Sequence, residues 1–321
     1  MCRPKVSVII PVYGAERYIE HCAESLFSQT LDFIEYIFVD DCSPDDSIKV
    51  LNAVLNRYPE RQGQVRIIRN KINLKQAGSR SVGLRAAAGD YIIHCDPDDW
   101  VENNIYELLY RKAISTDADI VTCDFLLERE QDSNRYHFPI IFSPHDCIQK
   151  ATMKSHWSLW NRLVKRELIE MNKIEFIPGV NMWEDLGFMI QCYYFANKIE
   201  YVSKPLYHYN LTNDQSITNI VDNGKLEQEK KCIDFLESFF ANKKEDFNGF
   251  IQMYRHFLKE QDIYNSNLPV FANLQRGGFL SRSLYKIVNV PRIIKTAYLI
   301  HSINSMFNNG SSKANDNNTI I

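Results

Sequence analysis

The chain has 321 residues, a formal net charge of −3 and 45% apolar residues. This length suffices for one large domain with an extension or for two domains, and the apolar content is ordinary for a soluble globular protein. The near-neutral charge excludes the strongly basic domain typical of nucleic-acid binding, and no apolar run reaches the ~18 residues of a membrane-spanning helix. None of the eight cysteines forms a Cys-x-x-Cys pair, which favours a reducing, cytosolic setting over a disulfide framework.

The first 125 residues alternate between strand and helix patterns. Short apolar runs predict five strands, at Val6–Ile10, Ile34–Val39, Val65–Ile68, Tyr91–Cys95 and Ile120–Cys123. Helical spacing of apolar residues predicts four helices between them, at Tyr18–Ser28, Asp46–Tyr58, Ala77–Ala88 and Asn103–Thr116. Strands separated by helices indicate an α/β fold with a mainly parallel, twisted sheet flanked by helices. Such sheets bind ligands at the carboxyl ends of their strands.

The pattern is less regular after residue 124. Apolar spacing there predicts two helices and two short strands, at Trp183–Ala196, Lys225–Phe240, Ile199–Val202 and Leu206–Tyr209.

Three carboxylates follow the fourth predicted strand, those of Asp96, Asp98 and Asp99. A turn that contains Pro97 can bring them together, although adjacent residues of a strand point to opposite faces. Their mutual repulsion then favours a divalent cation, and Mg²⁺ or Mn²⁺ needs only one or two carboxylates in addition to phosphate oxygens. The alternative is a solvated turn that caps the helix at Asn103. The position at the carboxyl end of a buried strand favours the metal site.

Asp40 and Asp41 end the second predicted strand. A carboxylate at this place can accept hydrogen bonds from ribose hydroxyls or from a base. It can also close the loop through Ser43 and Pro44 as an Asx-turn. The two roles are compatible, so both stay open.

Three charged residues near predicted helix starts have two interpretations each. Lys75 and Arg80 are disfavoured there by the helix dipole, so they either contact a diphosphate or base or are surface charges. Asp185 is either a general base or a helix-start charge that the dipole favours. From spacing alone, the second interpretation of Asp185 is the better one.

In this order, the motifs resemble the family-two glycosyltransferases, bacterial enzymes with a nucleotide-diphospho-sugar transferase fold of the GT-A type. The resemblance covers roughly residues 4–215. The matching segments are Val6–Tyr13, Phe38–Ser43, Asn73–Leu84, Gly89–Ile92, Asp96–Trp100 and Glu184–Asp185.

The resemblance implies a donor site. It places Pro11 and Tyr13 in the nucleotide pocket, Asp41 on the base or ribose with Asp40 beside it, and Arg80 near the base or phosphates.

The resemblance also implies the chemistry. Asp96 and Asp98 correspond to the Asp-x-Asp motif, with Asp98 the best contact for Mn²⁺ or Mg²⁺ and Asp99 beside it. Asp185 corresponds to the general base that deprotonates the acceptor hydroxyl. The metal stabilises the departing nucleoside diphosphate.

The implied function is metal-dependent, inverting transfer of one sugar from a nucleotide-sugar, with UDP the usual nucleotide, to a glycan or lipid-linked acceptor in cell-surface polysaccharide synthesis. A nucleic-acid partner is not implied. One alternative is a sugar nucleotidyltransferase, but its Gly-rich phosphate loop is reduced here to a single glycine, Gly14. Another is a catalytically inactive sugar-nucleotide-binding assembly protein. The Gln-x-x-Arg-Trp motif of processive synthases is absent from the sequence.

The chain departs from the family pattern at four positions: Gly14 for the usual Asn, Cys42 for Gly or Asn, Ser81 for Asn, and Asn210 for Arg. These departures leave the fold unaffected and weaken expectations about how acceptor and phosphates are held.

We predict three regions: a GT-A domain at 1–220, a helical extension at 221–307 and a disordered tail at 308–321. Within the first, 1–125 is the nucleotide-binding half and 126–220 the acceptor half. The extension contains a basic amphipathic segment at 271–307, which either packs on the domain or lies on an anionic membrane surface. We therefore expect a cytoplasmic protein with possible peripheral contact with the inner face of the membrane.

Overall fold

The computed structural model describes residues 3–129, 133–136, 143–149, 157–213, 223–260 and 262. The chain divides into two units, Met1–Leu258 and Lys259–Ile321, and nearly all of the second lies outside the described residues. The predicted basic segment at 271–307 and the predicted tail at 308–321 therefore fall outside them, and the predicted boundary at residue 220 stays a prediction. None of the described helices is both long and apolar enough to span a membrane.

The elements of the first half follow the prediction. They are β1 Val6–Val12, α1 Ile19–Phe27, β2 Ile34–Asp40, α2 Ser47–Leu55, a 3₁₀ helix Pro59–Gln64, β3 Val65–Arg69, α3 Lys75–Ala86 and β4 Tyr91–His94. All seven residues of β1 and of β2 are buried, as expected for central parallel strands that are covered on both faces. The ends differ from the predicted ones by a few residues.

The second half contains more elements than predicted. They are β5 Trp100–Val101, α4 Ile105–Thr116, β6 Ile120–Glu128, β7 Ser133–Tyr136, α5 Pro144–Gln149, β8 Arg162–Lys165, α6 Arg166–Met171, α7 Glu184–Phe195, β9 Ile199–Asn210, α8 Asn223–Phe240 and α9 at 248–260. Apart from α9, which falls within the predicted helical extension, the elements that sequence analysis missed have six residues or fewer, too few to show a period.

β9 joins the two short strands predicted at 199–202 and 206–209. It pairs in parallel with β6 along its whole length, and the ladder shifts register on both sides of Asp124, which is opposite Pro205. Since proline cannot donate to the ladder, the pairing bends there and then continues. β6 extends past its predicted end at Cys123 because residues 125–128 continue to pair with β9 on one side and β7 on the other.

The strands form one sheet in the order β3-β2-β1-β4-β8-β6-β9-β5, with β7 on β6. Pairs among β3, β2, β1 and β4 are parallel, as is β6 with β9, whereas β8 runs antiparallel to β4 and β6. Most paired residues thus lie in parallel ladders. This confirms the predicted α/β fold, and it brings the carboxyl ends of β1, β2 and β4 to one edge.

Two apolar clusters cover the faces of the sheet. One contains residues of α1, α2 and α4, and the other contains residues of α7, α8 and α9 together with Ala77 of α3. α3 approaches β1 closely at Gly83, where a side chain would collide with Ile9. α3 is therefore fixed against the strand whose carboxyl end borders the predicted donor site.

Candidate active site

Arg80 lies at the centre of the predicted site. Its side chain is 1% exposed, and it pairs with carboxylates from two distant segments. Nη2 is 2.7 Å from Asp96 Oδ1, and Nη1 is 2.8 Å from Glu184 Oε1 and 3.3 Å from Asp185 Oδ1. Burial alone would lower the pKa of Arg80, but the charges of Asp96, Asp185 and Glu184 raise it above its ordinary value. The structure thus brings together three residues predicted separately, Arg80, Asp96 and Asp185.

Glu184 is a member of the site that sequence analysis missed. It is 5% exposed. Burial raises the pKa of its carboxyl well above the usual range, the neighbouring Asp185 adds to this, and Arg80 opposes it. The signal in the sequence was the position of Glu184 beside Asp185 at the start of an apolar helix. An acidic residue at that position is also explained by its favourable interaction with the helix dipole.

The turn after β4 forms as predicted around Pro97, with Asp99 N donating to Asp96 O at 3.2 Å. The carboxylate of Asp99 points into the protein and is 1% exposed. It accepts hydrogen bonds from Tyr207 Oη at 2.6 Å and from Asn210 N at 2.8 Å. Burial raises the pKa of Asp99 well above its ordinary value, and Asp98 and Asp96 raise it further. Asp99 therefore anchors the turn to β9, and this geometry does not favour its predicted role as a metal ligand.

Asp96 and Asp98, unlike Asp99, are only partly buried. Asp96, besides its bond to Arg80, accepts a hydrogen bond from Gln76 Nε2 at 3.4 Å. Asp98 accepts one from Asn213 Nδ2 at 2.7 Å. Burial and the charge of Asp96 raise the pKa of Asp98. α4 starts after Asn104 without a side-chain cap, so the alternative in which this cluster caps that helix is wrong.

A divalent cation fits this donor set in part. Within the described ranges, no group of three or more His, Cys, Asp and Glu side chains could hold a metal ion. Asp96 and Asp98 nevertheless supply carboxylate oxygens, the donors that Mg²⁺ and Mn²⁺ prefer, and these ions commonly take one or two carboxylates plus phosphate oxygens. The mutual repulsion of the two carboxylates is a further reason for a cation to bind there. The residues fit an ion whose coordination a diphosphate completes.

The residues predicted to bind the donor lie at the ends of β1 and β2. Pro11 is buried in β1, and Tyr13 is 54% exposed just beyond it. Asp40 Oδ1 accepts a hydrogen bond from Ser43 N at 2.9 Å, which confirms the loop-closing role predicted for Asp40. Asp41 is 3% exposed and accepts two bonds at Oδ1, from Asn70 Nδ2 at 2.8 Å and Leu74 N at 2.7 Å.

The start of α3 is held by residues from elsewhere. Lys75, the first residue of the helix, is exposed and has a φ of +64°. Ala77 N donates to Asn181 Oδ1 at 3.1 Å, and Asn181 N donates to Gln228 Oε1 at 2.8 Å. Asn181 therefore caps α3 across 104 positions of sequence and connects it to α8.

A model of the family described as glycosyl transferase family 2 matches residues 7–177, more than half of the chain. The chain belongs to glycosyl transferase family 2. This membership confirms the resemblance found in the sequence and, with it, the predicted enzyme class, a glycosyltransferase. The family match contains every predicted site residue except Asp185.

Two relatives in this family come from Bacillus subtilis. The uncharacterized glycosyltransferase EpsJ is 30% identical over 227 residues, which are 68% of this chain and 64% of EpsJ. The putative glycosyltransferase EpsH is 29% identical over 296 residues, which are 89% of this chain and 82% of EpsH. The match to EpsJ thus spans just under two thirds of that protein.

The solved structures that resemble this chain include a complex with a nucleotide-sugar. Residues 1–349 of S. aureus TarS in complex with UDP-GlcNAc superpose with a TM-score of 0.64 at 20% identity, over 79% of this chain and 71% of that one. The mannosyltransferase PcManGT from Pyrobaculum calidifontis, in complex with GDP-Man and Mn²⁺, gives 0.52 at 16% identity, over 98% and 89%. These likenesses confirm the predicted GT-A type fold.

Proposed function

We propose that this chain transfers one sugar from a nucleotide-sugar, a UDP-sugar in the first instance, to a hydroxyl of a glycan or lipid-linked acceptor during cell-surface polysaccharide synthesis. The observation that carries the proposal is the meeting of Asp96 and Asp185 on the single guanidinium of Arg80. Asp96 is proposed to lie at the diphosphate and Asp185 is proposed as the general base, so Arg80 holds the two proposed functions side by side.

The donor nucleotide occupies the ends of β1 and β2 in this proposal. The exposed ring of Tyr13 is available to stack on the base, and Pro11 shapes the floor below it. Asp41 lies at the base or ribose with Asp40 beside it. The exposed ammonium of Lys75 at the start of α3 is free to approach the diphosphate.

In this proposal the general base lies on the acceptor side of the anomeric carbon, opposite the donor nucleotide. Asp185 accepts the proton of the acceptor hydroxyl as that oxygen attacks the anomeric carbon. A single in-line displacement of this kind inverts the configuration. In this arrangement Arg80 acts through the general base and not through the diphosphate. Its contacts with Asp96, Glu184 and Asp185 hold the carboxylate of Asp185 in place.

Asp96 and Asp98 are proposed to hold Mn²⁺ or Mg²⁺ together with the donor diphosphate. Such an ion, when bound, stabilises the negative charge of the leaving nucleoside diphosphate. Asp99 contributes by fixing the turn through Tyr207 and Asn210.

We propose a cytoplasmic location for the enzyme, with the basic segment at 271–307 as the part that contacts an anionic inner membrane surface.

A donor panel tests the proposal. UDP-, GDP- and dTDP-sugars are assayed for released nucleoside diphosphate with Mn²⁺, Mg²⁺ or EDTA, in wild-type protein, Asp185→Asn and the exposed control Asp117→Asn. We expect metal-dependent release with at least one donor, and a loss of about 10²–10⁴-fold in Asp185→Asn only.

Other results would support other functions. Donor binding without release or transfer supports a catalytically inactive assembly protein. Formation of a nucleotide-sugar from a sugar phosphate and a nucleoside triphosphate supports a nucleotidyltransferase. Metal-dependent release that is unchanged in Asp98→Ala contradicts the proposed metal contact.

A further inference from the structure

His94, the last residue of β4, is 3% exposed, and neither of its ring nitrogens has a hydrogen-bond partner in the part of the chain that the structure describes. A neutral imidazole has one N–H donor and one acceptor nitrogen. Leaving a buried polar group without a hydrogen bond destabilises the folded state. Buried polar atoms of native proteins nearly always have a partner, in many cases an ordered water molecule.

Arg80 supplies a second buried polar atom of this kind. Its Nε–H has no hydrogen-bond partner among the described residues, although Nη1 and Nη2 of the same guanidinium bind three carboxylates. The Nε–H group is a donor and cannot accept. The edge of the guanidinium that carries Nε therefore needs an acceptor.

The fold places His94 near Arg80, whose charge adds to burial in lowering the pKa of the imidazole. His94 pairs in register with Ile9 of β1, and side chains paired across neighbouring strands point to the same face of a sheet. On that face Ile9 lies against Gly83, which follows Arg80 by three residues on α3. His94 also precedes by two residues Asp96, whose carboxylate is 2.7 Å from Arg80.

Aromatic rings pack against the imidazole of His94. Phe176 and Phe188 contact it edge-on, with ring centroids at 5.7 Å and 6.4 Å. Neither ring offers a conventional hydrogen-bond partner to the imidazole. Of the groups identified around His94, Arg80 has a polar atom, the Nε–H, that still lacks a hydrogen-bond acceptor.

We propose that one buried water molecule links the Nε–H of Arg80 to the acceptor nitrogen of His94, which makes His94 a positioning residue for Arg80 and, through it, for Asp185. The water accepts a hydrogen bond from Nε–H and donates one to the imidazole. Hydrogen bonds on both edges of the guanidinium fix the orientation of its plane. They therefore also fix the position of Nη1, which contacts Asp185. This inference rests on the proposed function, in which Asp185 is the base.

Two substitutions separate a positioning role from simple packing. His94→Phe keeps an aromatic ring and removes both nitrogens, so we expect kcat to fall about 10–100-fold, because small displacements of a catalytic group are costly. We expect the donor KM to stay within about two-fold, since His94 is not among the proposed donor contacts, and the variant to stay folded, because the volume of the buried ring is kept. His94→Gln retains an acceptor oxygen and should recover most of kcat.

Phe176→Leu is the matched control, since it removes a ring that contacts His94 but no hydrogen-bonding atom; we expect a lower Tm and an unchanged kcat per folded molecule. A readout independent of turnover is the hydrogen exchange of Arg80 Nε–H by nitrogen-15 NMR, which we expect to be faster in His94→Phe than in wild type.

Wild-type kcat in His94→Phe, or an unchanged Nε–H exchange rate in it, overturns the inference. If wild-type protein turns over no donor at all, the proposed function fails. The exchange measurement then still decides whether His94 and Arg80 are linked.

Discussion

The ring of Trp183 lies edge-on against the ring of Tyr254, with centroids 5.2 Å apart and planes inclined by 76°. Trp183 has a φ of +60° and directly precedes α7, which begins with Glu184 and Asp185. The left-handed conformation costs a non-glycine residue about 1–2 kcal/mol, so it persists only where the surroundings impose it. α9, which carries Tyr254, therefore helps to fix the backbone from which the proposed base projects.

The strain at Trp183 predicts an unusual order of stability. Trp183→Ala and Trp183→Gly both lose the ring, but only glycine adopts the left-handed conformation freely. We expect the glycine variant to be more stable than the alanine variant by about 1 kcal/mol, measured by urea unfolding. Elsewhere in a helix or strand the order is the reverse, so an alanine variant of equal or greater stability contradicts the strain.

The ion pairs of Arg80 predict a large loss on its removal. Arg80→Met leaves three carboxylates without a buried cation, and we expect the free energy of unfolding to fall by about 3–5 kcal/mol. Adding Glu184→Gln should restore part of this loss, because one of the uncompensated charges is then gone. The exposed Arg85 of the same helix is the control, and Arg85→Met should change stability by less than about 0.5 kcal/mol. A lack of recovery in the double variant contradicts the proposed electrostatics.

Glu229 predicts a pH dependence of stability. It is 5% exposed, its Oε2 has no hydrogen-bond partner in the described residues, and burial raises its pKa to about 7, against a smaller opposing effect of Lys225. The folded protein therefore binds more protons than the unfolded chain between about pH 4.5 and pH 7. Glu229 then costs stability as pH rises through this window, about 3 kcal/mol in total.

The substitution Glu229→Gln tests this pH dependence. We expect the variant to be more stable than wild type above pH 7 and the difference to vanish near pH 4.5, by urea unfolding across pH. Glu227→Gln, at an exposed position of the same helix, should show no such window. An equal stability difference at pH 4.5 and pH 8 contradicts the raised pKa.

Gly89 predicts a steric effect at the start of β4. A Cβ atom there would lie 2.6 Å from the backbone nitrogen of Ser7, and neither backbone can move without breaking the pairing of β1 with β4. We expect Gly89→Ala to lower stability by about 2–3 kcal/mol in thermal or urea unfolding. Gly63→Ala is the matched control, because a Cβ there meets nothing within 4 Å; a similar effect of both substitutions contradicts the steric argument.

The sequence predicted the central sheet because buried parallel strands are continuous apolar runs, and it predicted the donor-side ends because polar residues follow those runs directly. It did not predict the burial of Arg80. That property depends on α3 and α7, whose charged residues are 104 positions apart, and helical spacing at one place says nothing about which helix lies opposite. Glu184 was missed for the same reason, since its partner is Arg80 rather than a neighbour in sequence.

Local rules also failed where tertiary contacts replaced them. Asn73 accepts a hydrogen bond from the first N–H of α3, but Asn181 accepts one from Ala77 N across 104 positions, and no local pattern marks that contact. Pro205 appeared to separate two strands, but the register shift opposite it lets β9 continue. The sequence grouped Asp99 with Asp96 and Asp98 as a metal ligand, and its contacts with Tyr207 and Asn210 set it apart from them.

Six of the seven cysteines within the described ranges are buried, and Cys42 is the one that is partly exposed. It follows Asp41 in a left-handed backbone with a φ of +61°, and its thiol donates to Asn70 O at 3.2 Å. Among the cysteines of the described ranges, alkylating reagents added to the folded protein are thus directed to Cys42, at the rim of the proposed nucleotide pocket. The rate of that labelling gives a direct optical or mass-spectrometric measure of pocket occupancy, with no engineered probe and no knowledge of the sugar.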